Sequence, residues 1–338
     1  MLVYECTIIQ KHRRKRQEED RSINIQELMS LQGWSEGTIP PQTGRLAVVT
    51  GGTSGLGYET ALALAQGCAD VIIADCAEAQ GRSAAAMIRS LAPQALVRFE
   101  KLDLAELASV SAFAARLGAE GRPLDLLVNN AGVLALPKRQ VTADGFEKQL
   151  GDNYLGHFAL SGLLLPMLRQ SRDPRVVQVS SLAHRFGKIR FADIHAEQRY
   201  HPWKAYSQSK LAMLLFAREL QRRSDAHGWG LLSLAAHPGY AQTNLLARSR
   251  GSRSVFSRLS RSVGRVMSQS AADGAQPTLF AALSPAVQPG GFYGPGGLLE
   301  FRGAPVSAYV SRTARDAALG QRLWQVSEQL TGVQWPAN

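Results

Sequence analysis

The chain is poor in cysteine: it has three, Cys6, Cys68 and Cys76, among 338 residues, with no C-x-x-C and no paired ligand spacing. An odd, scattered set argues against a disulfide framework or a cysteine zinc site, and it suits a reducing compartment. Long apolar runs are also missing, none approaching the ~18 residues of a membrane-spanning helix. Met1–Gln10 is mildly apolar but precedes its basic cluster, the reverse of a secretory signal. The expectation is a cytoplasmic protein with no transmembrane segment, peripheral membrane contact being left open.

Acidic residues are in deficit, 27 against 38 Lys and Arg, for a net charge of +11. Such an excess suits nucleic acid or an anionic surface. Here it gathers in two blocks, Lys11–Arg16 and the series Arg248, Arg250, Arg253, Arg258, Arg261 and Arg265. The first block has no aromatic and the second only Phe256, so both read as solvated faces and no nucleic-acid partner is expected. His157, His184, His195 and His201 show no ligand spacing, so no metal site is expected. His157 reads as a packed or hydrogen-bonded helix residue.

What is present is a regular alternation. Residues 1–44 form an arm with no apolar period, ending in the linker Pro40-Pro41-Gln-Thr-Gly44. The arm is expected to be partly disordered or loosely packed. From Arg45 to the C-terminus a single domain is expected. Strands are predicted at Leu46–Thr50, Val71–Ala74, Leu96–Leu102, Leu124–Val128, Arg175–Val179 and Leu231–Ala235. Helices are predicted at Leu56–Gln66, Ala77–Leu91, 106–118, 142–170 and 204–224. Short apolar strands alternating with amphipathic helices predict a doubly wound α/β domain of Rossmann type, a parallel sheet with helices on both faces. Its ligand would lie at the carboxyl ends of the strands.

Thr50-Gly-Gly-Thr-Ser-Gly-Leu-Gly57 falls between the first strand and the first helix. Its glycines let the backbone turn sharply and approach a pyrophosphate, which the helix N-terminus attracts. Asp75 ends the second strand about 20 residues later, where a carboxylate can accept bonds from the adenosine ribose hydroxyls. A 2′-phosphate there meets like charge, and the chain that follows carries no Arg or Lys until Arg82. The same Asp could simply cap the next helix. NAD is therefore expected ahead of NADP.

Tyr206 and Lys210 lie four apart on a predicted helix, on one face. A neighbouring ammonium favours phenolate and should lower the tyrosine pKa towards working pH. Tyr-x-x-x-Lys alone is a common accident of helical surfaces, but here it follows Ser180-Ser181 at a strand end.

Taken in order, these segments resemble the short-chain dehydrogenase/reductase family. The glycine turn supplies Gly51, Thr53, Ser54, Gly55, Leu56 and Gly57. Asp103-Leu104 resembles the pair beside the adenine, and Asn129-Asn130-Ala131-Gly132 the segment ending the fourth strand. Asn153, Ser181, Tyr206 and Lys210 follow, then His237-Pro238-Gly239 with Thr243. The likeness spans roughly 45–295 and is nearest the retinol dehydrogenase and WW-domain oxidoreductase branch.

The resemblance implies an NAD-dependent oxidoreductase interconverting an alcohol and a carbonyl. Tyr206 would be the acid/base, and Lys210 would lower its pKa and grip the nicotinamide ribose. Ser181 would hold the substrate oxygen, and Asn153 would complete a proton relay through a water. Pro238, Gly239 and Thr243 would lie at the nicotinamide end. The loops 182–203 and 240–267 would build the substrate pocket, with His184, Phe186, Ile189, Phe191, Trp203 and Tyr240 in the first and at the start of the second. Leu245, Leu246, Val255, Phe256 and Leu259 would follow. That lining implies a hydrophobic alcohol, aldehyde or ketone. The apolar surplus around Gly145–Leu168 and Lys204–Arg222 implies a homodimer or homotetramer, with a thick internal core as the alternative. A non-catalytic NAD(H)-binding regulator is the rival reading, yet such a protein would be expected to lose Ser181, Tyr206 or Lys210.

Overall fold

The run Leu46-Ala-Val-Val-Thr50 is β1, buried along its length. Its side chains alternate between two cores: Leu46 and Val48 enter one, Ala47 and Val49 the other. A strand covered on both faces must be apolar at every position, which is why the run is continuous. The computed structural model describes residues 39–240 and 269–336 of this chain.

Helix α1 (Gly55–Gln66) leads to β2 (Asp70–Asp75), α2 (Glu78–Leu91), β3 (Val97–Lys101), α3 (Leu107–Ala119) and β4 (Leu126–Asn129). A helical turn at Lys148–Leu150 and a π-helical turn at Gly151–Leu155 run into α4 (Gly156–Leu168). Then come β5 (Arg175–Val179), α5 (Pro202–His227), β6 (Leu232–Ala236) and α6 (Ala271–Leu283). The last elements are β7 (Phe292–Pro295), β8 (Pro305–Ser307) and α7 (Ala317–Thr331). The sheet order is β3-β2-β1-β4-β5-β6-β7-β8, parallel except for β8, which runs against β7. The order reverses between β1 and β4, the switch point where ligands of such sheets sit.

All six expected strands are present. The helix expected over 142–170 begins later. Glu147 accepts the amides of Gln149 and Leu150 at 3.0 and 2.8 Å and caps the chain there, while Val141 bridges to Glu147. β7, β8, α6 and α7 lie outside the elements expected from the sequence. β7 is only Phe-Tyr-Gly-Pro, and α6 carries Pro277 inside it.

Part of the linker is docked: Gln42 is buried, and its amide donates to the Gly67 carbonyl at 2.6 Å. The apolar surplus of α4 and α5 is covered within the chain. α7 packs on both helices. Trp324 of α7 sits 5.0 Å from Phe158, 5.8 Å from Phe216 and 4.7 Å from Trp335, ring centre to ring centre. The thick-core reading fits these helices. Residues 1–38 and 241–268 lie outside the described residues, with Lys11–Arg16, Thr243, the second loop's apolar residues and the Arg248–Arg265 series.

Trp324 is 1% exposed and lies beneath the Arg223 guanidinium, 4.3 Å from the ring. Trp324→Ala should cost about 3–5 kcal/mol of stability, as large aromatic truncations in cores do. A urea midpoint equal to that of the unaltered protein would show that α7 is not part of the core.

Candidate active site

The glycine turn fits together by contacts too close for larger residues. A Cβ on Gly57 would lie 2.3 Å from the Gly51 carbonyl oxygen, and Gly51 has φ +68°. The first turn of α1 has no side-chain cap from Ser54, so its amides are left for an anion. Thr53 donates to Asp75 Oδ2 at 3.0 Å, and the Ala77 amide donates to Oδ1 at 3.0 Å. Asp75 therefore braces the turn and caps the chain before α2, so the capping and ribose readings are compatible. Asp103 Oδ1 accepts the Ala105 amide at 2.9 Å, and the Leu104 carbonyl abuts Gly156 of α4.

Asn130, Ala131 and Gly132 follow β4 and fold against this turn. Asn130 Nδ2 donates to the Thr50 carbonyl at 2.8 Å. Thr50 Oγ1 accepts the Asn130 and Ala131 amides at 2.9 and 3.0 Å. Thr50 Oγ1 and His157 Nε2 are 2.8 Å apart, and His157 Nδ1 is 2.9 Å from the Asn153 carbonyl. A carbonyl only accepts, so Nδ1 carries the proton and Nε2 accepts from the Thr50 hydroxyl. Burial holds His157 neutral, its pKa lowered to about 3. The sequence marks His157 only as a packed or hydrogen-bonded residue; its link between the cofactor turn and Asn153 depends on contacts across 107 positions.

Asn153 sits in the π turn, where the helix widens. Its Oδ1 accepts the Val133 amide at 2.7 Å, and its Nδ2 donates to Ser209 Oγ at 2.8 Å and the Val133 carbonyl at 3.0 Å. A Cβ placed on Gly132 would lie 2.7 Å from Asn153 Oδ1 and 3.7 Å from Lys210 Nζ, so the three residues converge. Lys210 Nζ donates to the Val179 carbonyl at 2.9 Å and stands 5.9 Å from the Tyr206 ring centre. Ser181 begins the 3-10 turn Leu182–Phe186, and its Oγ accepts the Ala183 amide at 3.2 Å.

The spacing predicts a tyrosine pKa lowered by Lys210, and here the direction is opposite. Burial pushes the Tyr206 hydroxyl up to about 12, with the neighbouring Ser181 hydroxyl pulling it down less strongly. Lys210 shares that desolvation and falls to about 8. Its hydrogen bond goes to the Val179 carbonyl and not to Tyr206.

The substrate-side residues are placed less evenly. Trp203 is 53% exposed and meets the Tyr206 ring edge-on at 6.1 Å. Phe186 and Tyr240 are exposed. His184 is fully buried, edge-on to Phe292, with Nδ1 donating to the Ser181 carbonyl at 2.8 Å. Ile189 and Phe191 pack on the core instead of an open pocket, Phe191 beneath the Arg322 guanidinium. Pro238 and Gly239 follow β6, the Pro238 carbonyl accepting from Gln269 Nε2 at 2.6 Å. Among the described residues no cluster of His, Cys, Asp or Glu could hold a metal ion, and no helix is long and apolar enough to cross a membrane.

A glycine turn at a sheet's switch point, facing a Ser–Tyr–Lys–Asn cluster, defines a class of dinucleotide-linked oxidoreductase. Residues 45–254 match the model of the short chain dehydrogenase family, and the chain belongs to that family. It is 42% identical over 298 residues to the polyprenol dehydrogenase of Mus musculus, covering 87% of this chain and 86% of that one. It is 41% identical to retinol dehydrogenase 12 of Homo sapiens, over 86% of this chain and 88% of that one. A crystal structure of an uncharacterized protein from Mycobacterium paratuberculosis superposes with a TM-score of 0.75 at 41% identity, covering 90% of this chain and 99% of that one. Within the family, these relatives group the chain with the retinol dehydrogenase branch.

Proposed function

We propose that this oxidoreductase is NAD-dependent and interconverts a hydrophobic alcohol with its aldehyde or ketone. The observation that carries the reading is the convergence of Ser181, Tyr206, Lys210 and Asn153 beside the glycine turn. In oxidation Tyr206 takes the hydroxyl proton, and in reduction it returns it. Ser181 donates a hydrogen bond to the substrate oxygen, where charge builds. Lys210 keeps positive charge near the phenol and reaches the nicotinamide ribose. Asn153, held by Val133, Ser209 and His157, fixes the end of the proton path. The bound dinucleotide supplies hydride acceptance or donation. Gly51, Thr53, Ser54, Gly55, Leu56 and Gly57 would take its pyrophosphate, Asp75 its adenosine ribose and Asp103-Leu104 its adenine. Asn130, Ala131 and Gly132 would line the ribose side, and Pro238, Gly239 and Thr243 the nicotinamide end.

The substrate class draws on three supports: the relatives' names specify retinol and a polyprenol, Trp203 stands against Tyr206, and Phe186 and Tyr240 are exposed. Turnover of retinol, a short polyprenol and smaller aryl alcohols, followed by nicotinamide absorbance, tests it. Absence of turnover across that panel with both cofactors would favour the NAD(H)-binding regulator.

NAD is supported by Asp75 and by Arg82, which is engaged by Glu78 at 2.8 Å. NADP is the second reading, because Lys101 of β3 is the register partner of Asp75 and is exposed. Asp75→Ala should narrow the preference for NAD(H) by roughly tenfold, the scale of one charge-assisted hydrogen bond. Calorimetry showing tighter NADP(H) binding to the unaltered protein would make Lys101 the deciding residue.

A further inference from the structure

Glu300 lies in the connection from β7 to β8, 63 positions beyond His237, and the proposed chemistry gives it no task. Its Oε2 is 2.9 Å from His237 Nε2 and 2.7 Å from an Arg185 guanidinium nitrogen. Its Oε1 accepts the Tyr309 amide at 3.0 Å. His237 Nδ1 accepts the Gly239 amide at 3.1 Å, so the ring proton is on Nε2 and is donated to Glu300. One carboxylate thus receives bonds from the loop after β6, the loop after β5 and the start of the segment after β8.

The surroundings fit a built junction. Leu299 and Glu300 both adopt left-handed backbone, with φ +55° and +60°, which non-glycine residues take only when their surroundings enforce it. The Phe301 carbonyl accepts the Tyr240 amide at 2.9 Å and would lie 2.4 Å from a Cβ on Gly239. On the other side, Arg185 belongs to the 3-10 turn that Ser181 begins, and its guanidinium also covers the Tyr309 ring at 5.4 Å. Burial pushes the Glu300 carboxyl up. The His237 N–H, the Tyr309 amide and Arg185 outweigh that effect, and it sits below the usual carboxylate range. Burial lowers the His237 pKa, which keeps that ring the neutral donor.

We infer that Glu300 is a positioning residue, whose carboxylate sets the separation between the Ser181 loop and the His237–Tyr240 loop. The two loops carry, on the reading given above, the group that grips the substrate oxygen and the floor of the nicotinamide. Hydride transfer depends on that separation, and a misplacement of 1 Å costs on the order of 10²-fold in rate. Glu300 acts through His237 and Arg185, not on the reacting atoms.

Glu300→Gln keeps shape but removes the charge and one of the accepting oxygens. The kcat for retinol oxidation should fall by roughly 10–100-fold. The KM for NAD should hold within a few-fold, because the adenosine half is gripped elsewhere. Glu300→Asp, which keeps the charge, should recover part of kcat. Independently of any substrate, hydrogen–deuterium exchange in Glu300→Gln should rise in both 182–186 and 237–240. Exchange rising in only one loop, or neither, overturns the coupling. So does a lowered melting temperature with unchanged kcat, which would make Glu300 merely structural. Tyr206→Phe, assayed alongside, separates the two ideas: full turnover there sinks the acid/base assignment, while the exchange result for Glu300 stands on its own.

Discussion

Replacing Tyr206 with phenylalanine should cut turnover by on the order of 10²–10⁴-fold while NADH still binds. The substitution deletes one oxygen and keeps the ring, so the edge-on contact with Trp203 at 6.1 Å and the packing of α5 survive. Nothing in the glycine turn or around Asp75 depends on that oxygen. The pH profile tests the same assignment from another side. Tyr206 is pushed up to about 12 and Lys210 down to about 8, so the pair gives up its first proton near the lower value. Alcohol oxidation needs a proton acceptor, so its rate should rise with pH as the Tyr206–Lys210 pair loses its proton. Lys210→Met leaves the phenol raised by burial without a cation beside it, and that rise should move to higher pH. A pH-independent oxidation rate, or full turnover in Tyr206→Phe, would mean that the proton leaves by another group.

That prediction also marks what the sequence could tell. Tyr206 and Lys210 are legible because a helical spacing of four is local, and their strand-end context lies in the same stretch of chain. The direction of the tyrosine's pKa is not legible. It depends on how much protein closes over the phenol, which local spacing does not show. The strands are legible for a related reason: burial on both faces forces unbroken apolar runs such as Leu46–Thr50 and Arg175–Val179. β7 escapes because a four-residue strand containing glycine and proline has no such run. Ile189 and Phe191 look like pocket lining in the loop 182–203, yet both pack, partly buried, against the core. Glu300 is invisible for the plainest reason, since its value comes from three partners that approach it from three different loops.

The glycine turn gives the second large effect, and it should fall on cofactor affinity. A methyl on Gly57 would sit 2.3 Å from the Gly51 carbonyl oxygen and 2.4 Å from Asn130 Nδ2. Neither neighbour yields easily: one is backbone, and the other is held by the Thr50 carbonyl at 2.8 Å. Relief requires the turn to open, which moves the α1 amides away from the pyrophosphate they are proposed to hold. Overpacking of this kind costs about 1–3 kcal/mol, which is roughly a 5–150-fold loss of NADH affinity. Gly118 makes the matched control, since it lies in α3 and its added Cβ would meet nothing within 4 Å. Gly118→Ala should bind NADH normally and gain about 0.5–1 kcal/mol of stability from helix propensity. Fluorescence titration of both variants decides the matter. If Gly57→Ala binds NADH as tightly as Gly118→Ala, the dinucleotide does not rest on this turn, and the cofactor site must be sought elsewhere on the sheet edge.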